Sequence, residues 1–268
     1  MPSFELGVIG AGNMAEALLR GALGANVIDH NTVVASDPSF KRRQLFTSEL
    51  GLTTVTDNAV PAGCRRVLLA VKPQAMPEVL EGIAAAVSDE ATVISIAAGI
   101  RTGFIHERLG RRGRIVRVMP NTPMLVGAGL SALSKGPGAN DGDLAWAERL
   151  FAACGRTVRV AEPLIDVVTA VSGSGPAYFF YLIEAMIEAA AAEGMDRETA
   201  AELAIQTCIG AGRLLIETGE APKILREKVT SPGGTTQAAI ESLEAAGVHQ
   251  ALADAVRRAA ERSRELGA

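Results

Sequence analysis

Cysteine is scarce in this sequence, with three residues in 268. Cys64, Cys154 and Cys208 are odd in number, lie far apart and form no CxxC pair. Their number excludes a disulfide-stapled mini-protein, and their spacing provides no recognisable set of metal ligands. We therefore expect the three cysteines to be small buried side chains, and we predict no metal site.

Two further absences concern positive charge and long apolar runs. The 26 Lys and Arg residues are outnumbered by 30 Asp and Glu residues, which gives a formal net charge of -4. A mildly acidic chain lacks the positive field that nucleic-acid binding needs, so nucleic acid is not an expected partner. No apolar run reaches the roughly 18 residues of a membrane span, and residues 1–5 lack the layout of a signal peptide. We expect a soluble, cytoplasmic protein with no membrane partner.

The composition that is present, 48% hydrophobic and 21% charged residues, is that of a globular protein. In residues 1–160, short apolar runs alternate with helical patterns, which is typical of strands buried on both faces of a mostly parallel sheet. The predicted strands are 4–9, 32–35, 66–71, 92–96 and 115–118, with weaker candidates at 127–133 and 157–160. A helix at 141–153 joins the two weaker strands, whose direction the sequence does not indicate.

Residues 161–268 differ from the first part, because they are rich in alanine and have helical spacing almost throughout. The segment from Pro176 to Glu193 is apolar nearly all the way round, so a helix there needs burial on every side. Either a subunit partner or the chain's own remaining helices could bury it, and the small side chains of this half favour the partner. The sequence thus predicts an α/β domain at 1–160 and an all-α domain at 161–268.

A dinucleotide-binding fingerprint follows the first predicted strand. Residues 10–15, GAGNMA, have the GxGxxA spacing and lead into a helical pattern. Gly10 allows the tight turn, Gly12 lets the backbone approach a pyrophosphate, and Ala15 permits close packing of the helix on the strand. The helix N-terminus would then bind the phosphates through free N–H groups. A purely structural glycine turn is the alternative.

Residues that could select between NAD and NADP follow the second predicted strand. Asp37, at the end of that strand, suits the ribose 2'-hydroxyl of NAD. Ser36 and the basic residues Lys41, Arg42 and Arg43 could instead surround the 2'-phosphate of NADP. Solvated surface charge explains the basic residues equally well, so both cofactors stay open at this point.

Small and polar residues end three further strands. Lys72 stands between Val71 and Pro73 after one strand, Ala97 follows the next, and Asn121 lies in a turn fixed by prolines. The carboxyl ends of parallel strands form the ligand-binding edge of an open α/β sheet, so these residues are expected to line one pocket. For Lys72, an ordinary surface lysine is the alternative.

Two glycine-rich turns precede helical patterns in the second half. One is SGSGP at 172–176, and the other is SPGGTT at 231–236. Two glycines, several hydroxyls and a helix N-terminus make the second turn suited to a carboxylate. Thr235 or Thr236 could instead serve only as a helix N-cap.

Six motifs span nearly the whole chain in the order GVIGAGNMAEAL, AVKPQAM, SIAAGI, RVMPNTP, AVSGSGPAYFF and VTSPGGTTQAAI. Together they closely resemble the pyrroline-5-carboxylate reductases, the enzymes of the last step of proline synthesis. The resemblance implies a Rossmann domain, a swapped helical dimerisation domain and a cleft completed by the neighbouring subunit. It also implies hydride transfer from NADPH, or from NADH, to the C=N bond of 1-pyrroline-5-carboxylate, giving L-proline. A homodimer, or a larger oligomer of dimers, is implied as well.

The resemblance assigns roles to individual residues. Thr236 would be the catalytic hydroxyl, as a hydrogen-bond partner or proton relay for the substrate nitrogen. The substrate would be bound by Ser231, Gly233, Gly234, Thr235, Thr236, Ser172 and Gly175. The cofactor would be bound by Gly10, Gly12, Asn13, Met14, Ala15, Ser36, Asp37, Val71, Lys72, Pro73, Ala97 and Asn121. NADPH is favoured, although Asp37 conflicts with that preference.

Two other functions fit parts of the sequence. A β-hydroxyacid or imine dehydrogenase of similar outline is expected to carry a lysine in the first long helix of its second domain. No lysine lies between Lys135 and Lys223. A dinucleotide-sensing protein without turnover would keep the GxGxxA turn but has no need of SPGGTT. Both stand as alternatives on the sequence alone.

Overall fold

A computed structural model describes residues 4–267 of the chain. The chain divides into two compact units, one formed up to Gly173 together with the segment from Ala259 onwards, the other by Ser174–Arg258. The first unit therefore extends beyond residue 160 and also includes the C-terminal segment. Contacts within that unit explain this, because Glu162 accepts hydrogen bonds from Thr102, and Ser263 donates one to Asp166.

An eight-stranded sheet forms the centre of the first unit. Its strands are β1 Leu6–Ile9, β2 Val33–Ser36, β3 Thr53–Val55, β4 Arg66–Leu69, β5 Thr92–Ser95, β6 Arg114–Met119, β7 Gly129–Lys135 and β8 Gly155–Arg159. They lie in the order β3-β2-β1-β4-β5-β6-β7-β8. All neighbours are parallel except β6 and β7, which are antiparallel. Because β1 lies between β2 and β4, the ends of these three strands are adjacent.

Helices cover both faces of this sheet, and alternate residues of a strand face opposite sides. Val8 belongs to one apolar core and its neighbour Ile9 to the other. The helices of the first unit are α1 Asn13–Gly24, α2 Phe40–Leu50, α3 Ala59–Ala62, α4 Met76–Ile83, α5 Thr102–Arg108, α6 Asp141–Ala152 and α7 Ile165–Val168. Strands with two buried faces explain why the predicted strand segments are apolar at consecutive positions.

Gly7 of β1 is a position where the fold admits no side chain. A Cβ atom there would lie 1.9 Å from the carbonyl oxygen of Pro61, in α3. Since backbone atoms must move to relieve this overlap, we expect Gly7→Ala to lower the free energy of unfolding by about 3 kcal/mol. Gly103→Ala is the matched control, because a Cβ in that helix meets nothing within 4 Å. Urea denaturation should show a loss for the first variant and none for the second; equal stabilities would contradict this packing.

The second unit is entirely helical. It contains α8 Gly175–Ala192, α9 Arg197–Thr218, α10 Pro222–Lys228 and α11 Thr235–Ala245, and it begins α12 Val248–Leu266, whose end belongs to the first unit. Large apolar side chains of α8 are exposed, among them Phe179, Phe180, Tyr181 and Leu182. The chain's own helices therefore cover only part of this apolar helix. No helix in the described residues is both long and apolar enough to cross a bilayer.

The cysteines are spread over both units. Cys64 and Cys154 are buried, whereas Cys208 is partly exposed, so full burial was predicted correctly for only two of the three. Burial raises the pKa of the Cys64 thiol to about 11. Within residues 4–267, no group of three or more His, Cys, Asp or Glu residues could hold a metal ion.

Candidate functional site

The turn between β1 and α1 has the local geometry that a bound pyrophosphate requires. Gly10 has a φ of +98°, and a Cβ there would lie 2.8 Å from the carbonyl oxygen of Ala70. Gly12 is the N-cap of α1, and a Cβ there would meet nothing within 4 Å. Ala15 is fully buried. The backbone can therefore come close to a ligand at Gly12, where the first N–H groups of α1 have no intrahelical acceptor.

A cavity of about 750 Å³ opens beside this turn, at the carboxyl ends of β1, β2 and β4. Predicted cofactor residues line it together with further residues that no sequence motif indicates. The lining includes Gly10, Gly12, Ser36, Asp37, Val71, Lys72, Asn58 and Ala70. Its size, its glycine backbone and the helix N-terminus fit a dinucleotide.

Asn58 is a cavity residue that the sequence analysis missed. Its Oδ1 accepts a hydrogen bond of 2.7 Å from the hydroxyl of Ser36, which is fully buried. Ser36 is thus fixed by the loop after β3 as well as by its own strand. Asn58 was missed because β3, at Thr53–Val55, is short, polar and partly exposed. The β-branched run TTV between Gly51 and Asp57 was the signal available in the sequence.

Asp37, at the end of β2, organises the glycine turn. Its Oδ2 accepts a hydrogen bond of 2.8 Å from the backbone N–H of Ala11, and its Oδ1 accepts one of 2.8 Å from the N–H of Ser39. Both oxygens are therefore held by the backbone, although each keeps a lone pair for a further donor. Asp37 links the turn after β1 to the start of α2.

The two arginines after Asp37 have different surroundings. Arg42 forms an ion pair of 2.8 Å with Glu16 in the first turn of α1 and donates to the carbonyl oxygen of Ala11. Burial alone would raise the pKa of Glu16, but hydrogen bonds from Arg42 and Arg20 outweigh it and hold that pKa below its ordinary value. Arg43 uses Nη1 alone for its contacts with the carbonyl oxygens of Asp37 and Pro38. Arg42 therefore supports the glycine turn, whereas the Arg43 guanidinium contacts the backbone that follows β2.

The residues predicted near the nicotinamide lie at the ends of β4, β5 and β6. Lys72 is exposed and precedes a 3₁₀ turn that begins at Pro73, while Ala97 is buried after β5. The side chain of Asn121 is held within the first unit. Its Nδ2 donates to the carbonyl oxygen and to the Oγ of Ser172, at 3.3 and 3.1 Å, and its Oδ1 accepts from the N–H of Leu130 at 2.8 Å. Asn121 thus positions Ser172, which was predicted to contact substrate.

The SPGGTT turn lies in the second unit, immediately before α11. Gly234 is the N-cap of that helix, and no side chain caps it. The possibility that Thr235 or Thr236 is the N-cap is therefore wrong. Gly233 has a φ of +69°, its N–H donates to Gln237 Oε1 at 2.7 Å, and the N–H of Gly234 donates to the carbonyl oxygen of Ser231 at 3.0 Å. These contacts fix the turn.

The contacts that fix the turn do not use the backbone N–H groups at the start of α11, which can therefore donate to a ligand. Residues 235–237 form the first turn of α11, where backbone N–H groups have no acceptor within the helix. Thr236 is partly exposed and Thr235 is exposed. The turn presents backbone N–H groups and hydroxyls at a helix N-terminus, which suits a carboxylate. Gly175, by contrast, is buried at the start of α8.

Two family models match the chain. Residues 162–266 match the family model described as pyrroline-5-carboxylate reductase dimerisation, and residues 5–99 match NADP oxidoreductase, coenzyme F420-dependent. A pyrroline-5-carboxylate reductase of Methanosarcina acetivorans is 44% identical over 268 residues, covering 100% of this chain and 99% of that protein. The chain belongs to the pyrroline-5-carboxylate reductase family. The family predicted from the six motifs is thereby confirmed, and the chain is an oxidoreductase.

Solved structures of the family extend this agreement to three dimensions. A pyrroline-5-carboxylate reductase from Coxiella burnetii superposes with a TM-score of 0.91 at 38% identity, covering 99% of each chain. Plasmodium falciparum pyrroline carboxylate reductase with NADP bound gives a TM-score of 0.89 at 32% identity, covering 100% of each chain. The predicted fold class, a Rossmann-type α/β domain followed by a helical domain, is confirmed.

Proposed function

We propose that the chain reduces 1-pyrroline-5-carboxylate to L-proline by hydride transfer from NAD(P)H to the C=N bond, the final step of proline biosynthesis. The observation that carries the proposal is the identity of 44% to a reductase of this name over the full length of the chain. The cavity beside the glycine turn supports it, since a dinucleotide fits there. The small-molecule substrate would be bound by the SPGGTT turn.

We infer that NADPH is the preferred cofactor, with NADH as a second possibility. The NADP-bound Plasmodium relative supports binding of this class of dinucleotide. Gly10, Gly12, Asn13, Met14 and Ala15 would hold the pyrophosphate. The adenine ribose would lie at Ser36 and Asp37, and the nicotinamide end would be lined by Val71, Lys72, Pro73, Ala97 and Asn121.

We infer that Arg43 is the basic residue that contacts a 2'-phosphate. Its Nη1 is held at the carbonyl oxygens of Asp37 and Pro38, so its remaining N–H groups can face the ribose. We expect Arg43→Ala to raise the KM for NADPH about tenfold and the KM for NADH far less, because only NADPH carries the extra phosphate.

Arg42→Ala is the matched control for this measurement. Arg42 supports the glycine turn through Glu16 and Ala11, which both cofactors would use. Its loss should therefore raise both KM values by similar factors. Steady-state kinetics with each cofactor measures the two ratios, and equal effects of Arg43→Ala on NADPH and NADH would contradict the assignment.

The chain's residues would act on the substrate by holding and orienting it. When bound, the reduced nicotinamide supplies the hydride. The N–H groups that begin α11 would bind the substrate carboxylate, and the Thr236 hydroxyl would be the hydrogen-bond partner of the substrate nitrogen, its oxygen accepting from the N–H of the iminium form. An iminium nitrogen already carries its proton, so the chain needs no strongly acidic side chain for this reaction. Correct placement of the substrate carbon can contribute several kcal/mol.

We infer that the functional form is a homodimer built through the second unit, or a larger oligomer of such dimers. The large exposed apolar residues of α8 and α9 support this, because monomers rarely expose extended apolar patches. They include Phe179, Phe180, Leu182, Met186, Leu203, Ile205 and Ile209. The dimerisation model that matches residues 162–266 gives independent support. We also infer that the protein is located in the cytoplasm.

The reaction is tested by the loss of NADPH absorbance on adding 1-pyrroline-5-carboxylate, with proline measured by amino-acid analysis. We expect one proline for each NADPH consumed. A 3-hydroxy acid with NADP serves as the control substrate and should give no turnover. Binding of NADPH without turnover would identify a dinucleotide-sensing protein, and turnover of the hydroxy acid alone would identify a dehydrogenase of the other class.

A further inference from the structure

A buried arginine, Arg117, lies in strand β6 of the sheet between apolar residues. Arg117 in β6 is 1% exposed, and its neighbours Val116 and Val118 are fully buried. Burial lowers the pKa of the guanidinium, and the nearby carboxylates of Glu162 and Asp166 only partly offset this. An arginine stays protonated even so, and a buried cation needs partners for its N–H groups.

The partners that Arg117 has within the first unit are incomplete. Its Nη1 lies 3.5 Å from Glu162 Oε1, and its Nη2 lies 3.8 Å from Asp166 Oδ1. Nε and Nη2 are buried without a hydrogen-bond partner among the described residues. The two carboxylates are already engaged. Glu162 accepts from the N–H and hydroxyl of Thr102 at 2.7 and 2.6 Å, and Asp166 accepts from Ser263 at 2.7 Å.

These groups line a cavity of about 360 Å³ that lies entirely within the first unit. Two further arginines, Arg101 and Arg264, line it and are exposed, so the cavity opens to solvent. The lining carries three guanidinium groups and two carboxylates, those of Glu162 and Asp166, so its net charge is +1. The lining thus lacks one negative charge, and it contains two N–H donors that lack acceptors.

We propose that this cavity binds a small monovalent oxyanion, a carboxylate or dihydrogen phosphate, whose oxygens accept from Nε and Nη2 of Arg117. The adjacent N–H groups of a guanidinium match two oxygens of such an anion. Arg101 and Arg264 would contact the anion from the solvent side. Neither the proposed cofactor residues nor the SPGGTT turn contribute to this cavity, so the site is independent of the proposed reaction.

The test uses the full chain saturated with NADPH, so that dinucleotide phosphate positions are filled. Sodium phosphate and sodium acetate are titrated against sodium chloride at constant ionic strength, and the melting temperature is followed. We expect a saturable rise of about 3 °C at ten times the dissociation constant. The anion with the lower dissociation constant identifies the class of ligand, phosphate or carboxylate.

Arg264→Gln removes one of the solvent-side contacts and should raise the dissociation constant roughly tenfold. Arg262→Gln is the matched control, because that exposed arginine of the same helix pairs only with Glu265 in the described structure and does not line the cavity. Arg101→Gln, on the loop before α5, repeats the test without altering the C-terminal segment. The proposal is wrong if neither anion raises the melting temperature above its value in sodium chloride. It is also wrong if the dissociation constant is unchanged in both Arg264→Gln and Arg101→Gln.

Discussion

Thr236→Ala should lower kcat about ten- to a thousandfold, while the KM for NADPH scarcely changes. The hydroxyl is proposed to serve the substrate nitrogen as charge changes there, and removing one such group from a site with little water costs a few kcal/mol in the transition state. The cofactor affinity should be preserved because the dinucleotide cavity is lined by the first unit and Thr236 belongs to the second.

The controls for Thr236 follow from the cap geometry. Because Gly234 is the N-cap of α11, removal of the hydroxyl should not cost the roughly 1 kcal/mol of a lost cap. Thr236→Ser keeps the hydroxyl and should restore most of kcat, and Thr235→Ala should have a smaller effect. A Thr236→Ala variant with unchanged kcat and a lowered melting temperature would show that the residue is structural.

Phe180→Asp should convert the protein from a dimer to a monomer in sedimentation at micromolar concentration. Phe180 of α8 is 66% exposed in the single chain, so a charge there costs that chain little. In an apolar interface, a buried carboxylate without a partner costs several kcal/mol. A cost of about 4 kcal/mol raises the dissociation constant about a thousandfold.

The matched control is the same substitution at an equally exposed phenylalanine of the first unit. Phe40 is 70% exposed at the start of α2, and Phe40→Asp should leave the mass in solution unchanged. A Phe180→Asp protein that remains dimeric, or a wild-type chain that sediments as an active monomer, would contradict the proposed interface.

Local patterns in the sequence were sufficient for the family and for most of the fold. The GAGNMA turn requires glycine at Gly10 for its positive φ, and this requirement is independent of distant residues. The apolar strands at the centre of the sheet and the helices at Asp141–Ala152 and Gly175–Ala192 were predicted to within a few residues. Their periodicity and composition reflect burial on two faces, which local sequence records directly.

Other features could not be predicted because they depend on residues far apart in the chain. β3 has little apolar character, and only pairing with β2 makes it a strand. The antiparallel direction of β7 follows from its pairing with β6. Arg117 is a charged residue inside the predicted strand 115–118, and only the tertiary structure shows that its buried guanidinium lies near Glu162 and Asp166.

The reductase family, the Rossmann-type first domain and the helical second domain can all be predicted from the sequence, because each depends on short motifs and periodic burial. The folded structure is needed to show which polar atoms already have hydrogen-bond partners. It showed that Asp37 holds the Ala11 amide, that Asn121 holds Ser172, and that Gly234 caps α11 in place of a threonine. Hydrogen-bond partners of this kind depend on distances between separate segments, which spacing along a chain does not specify.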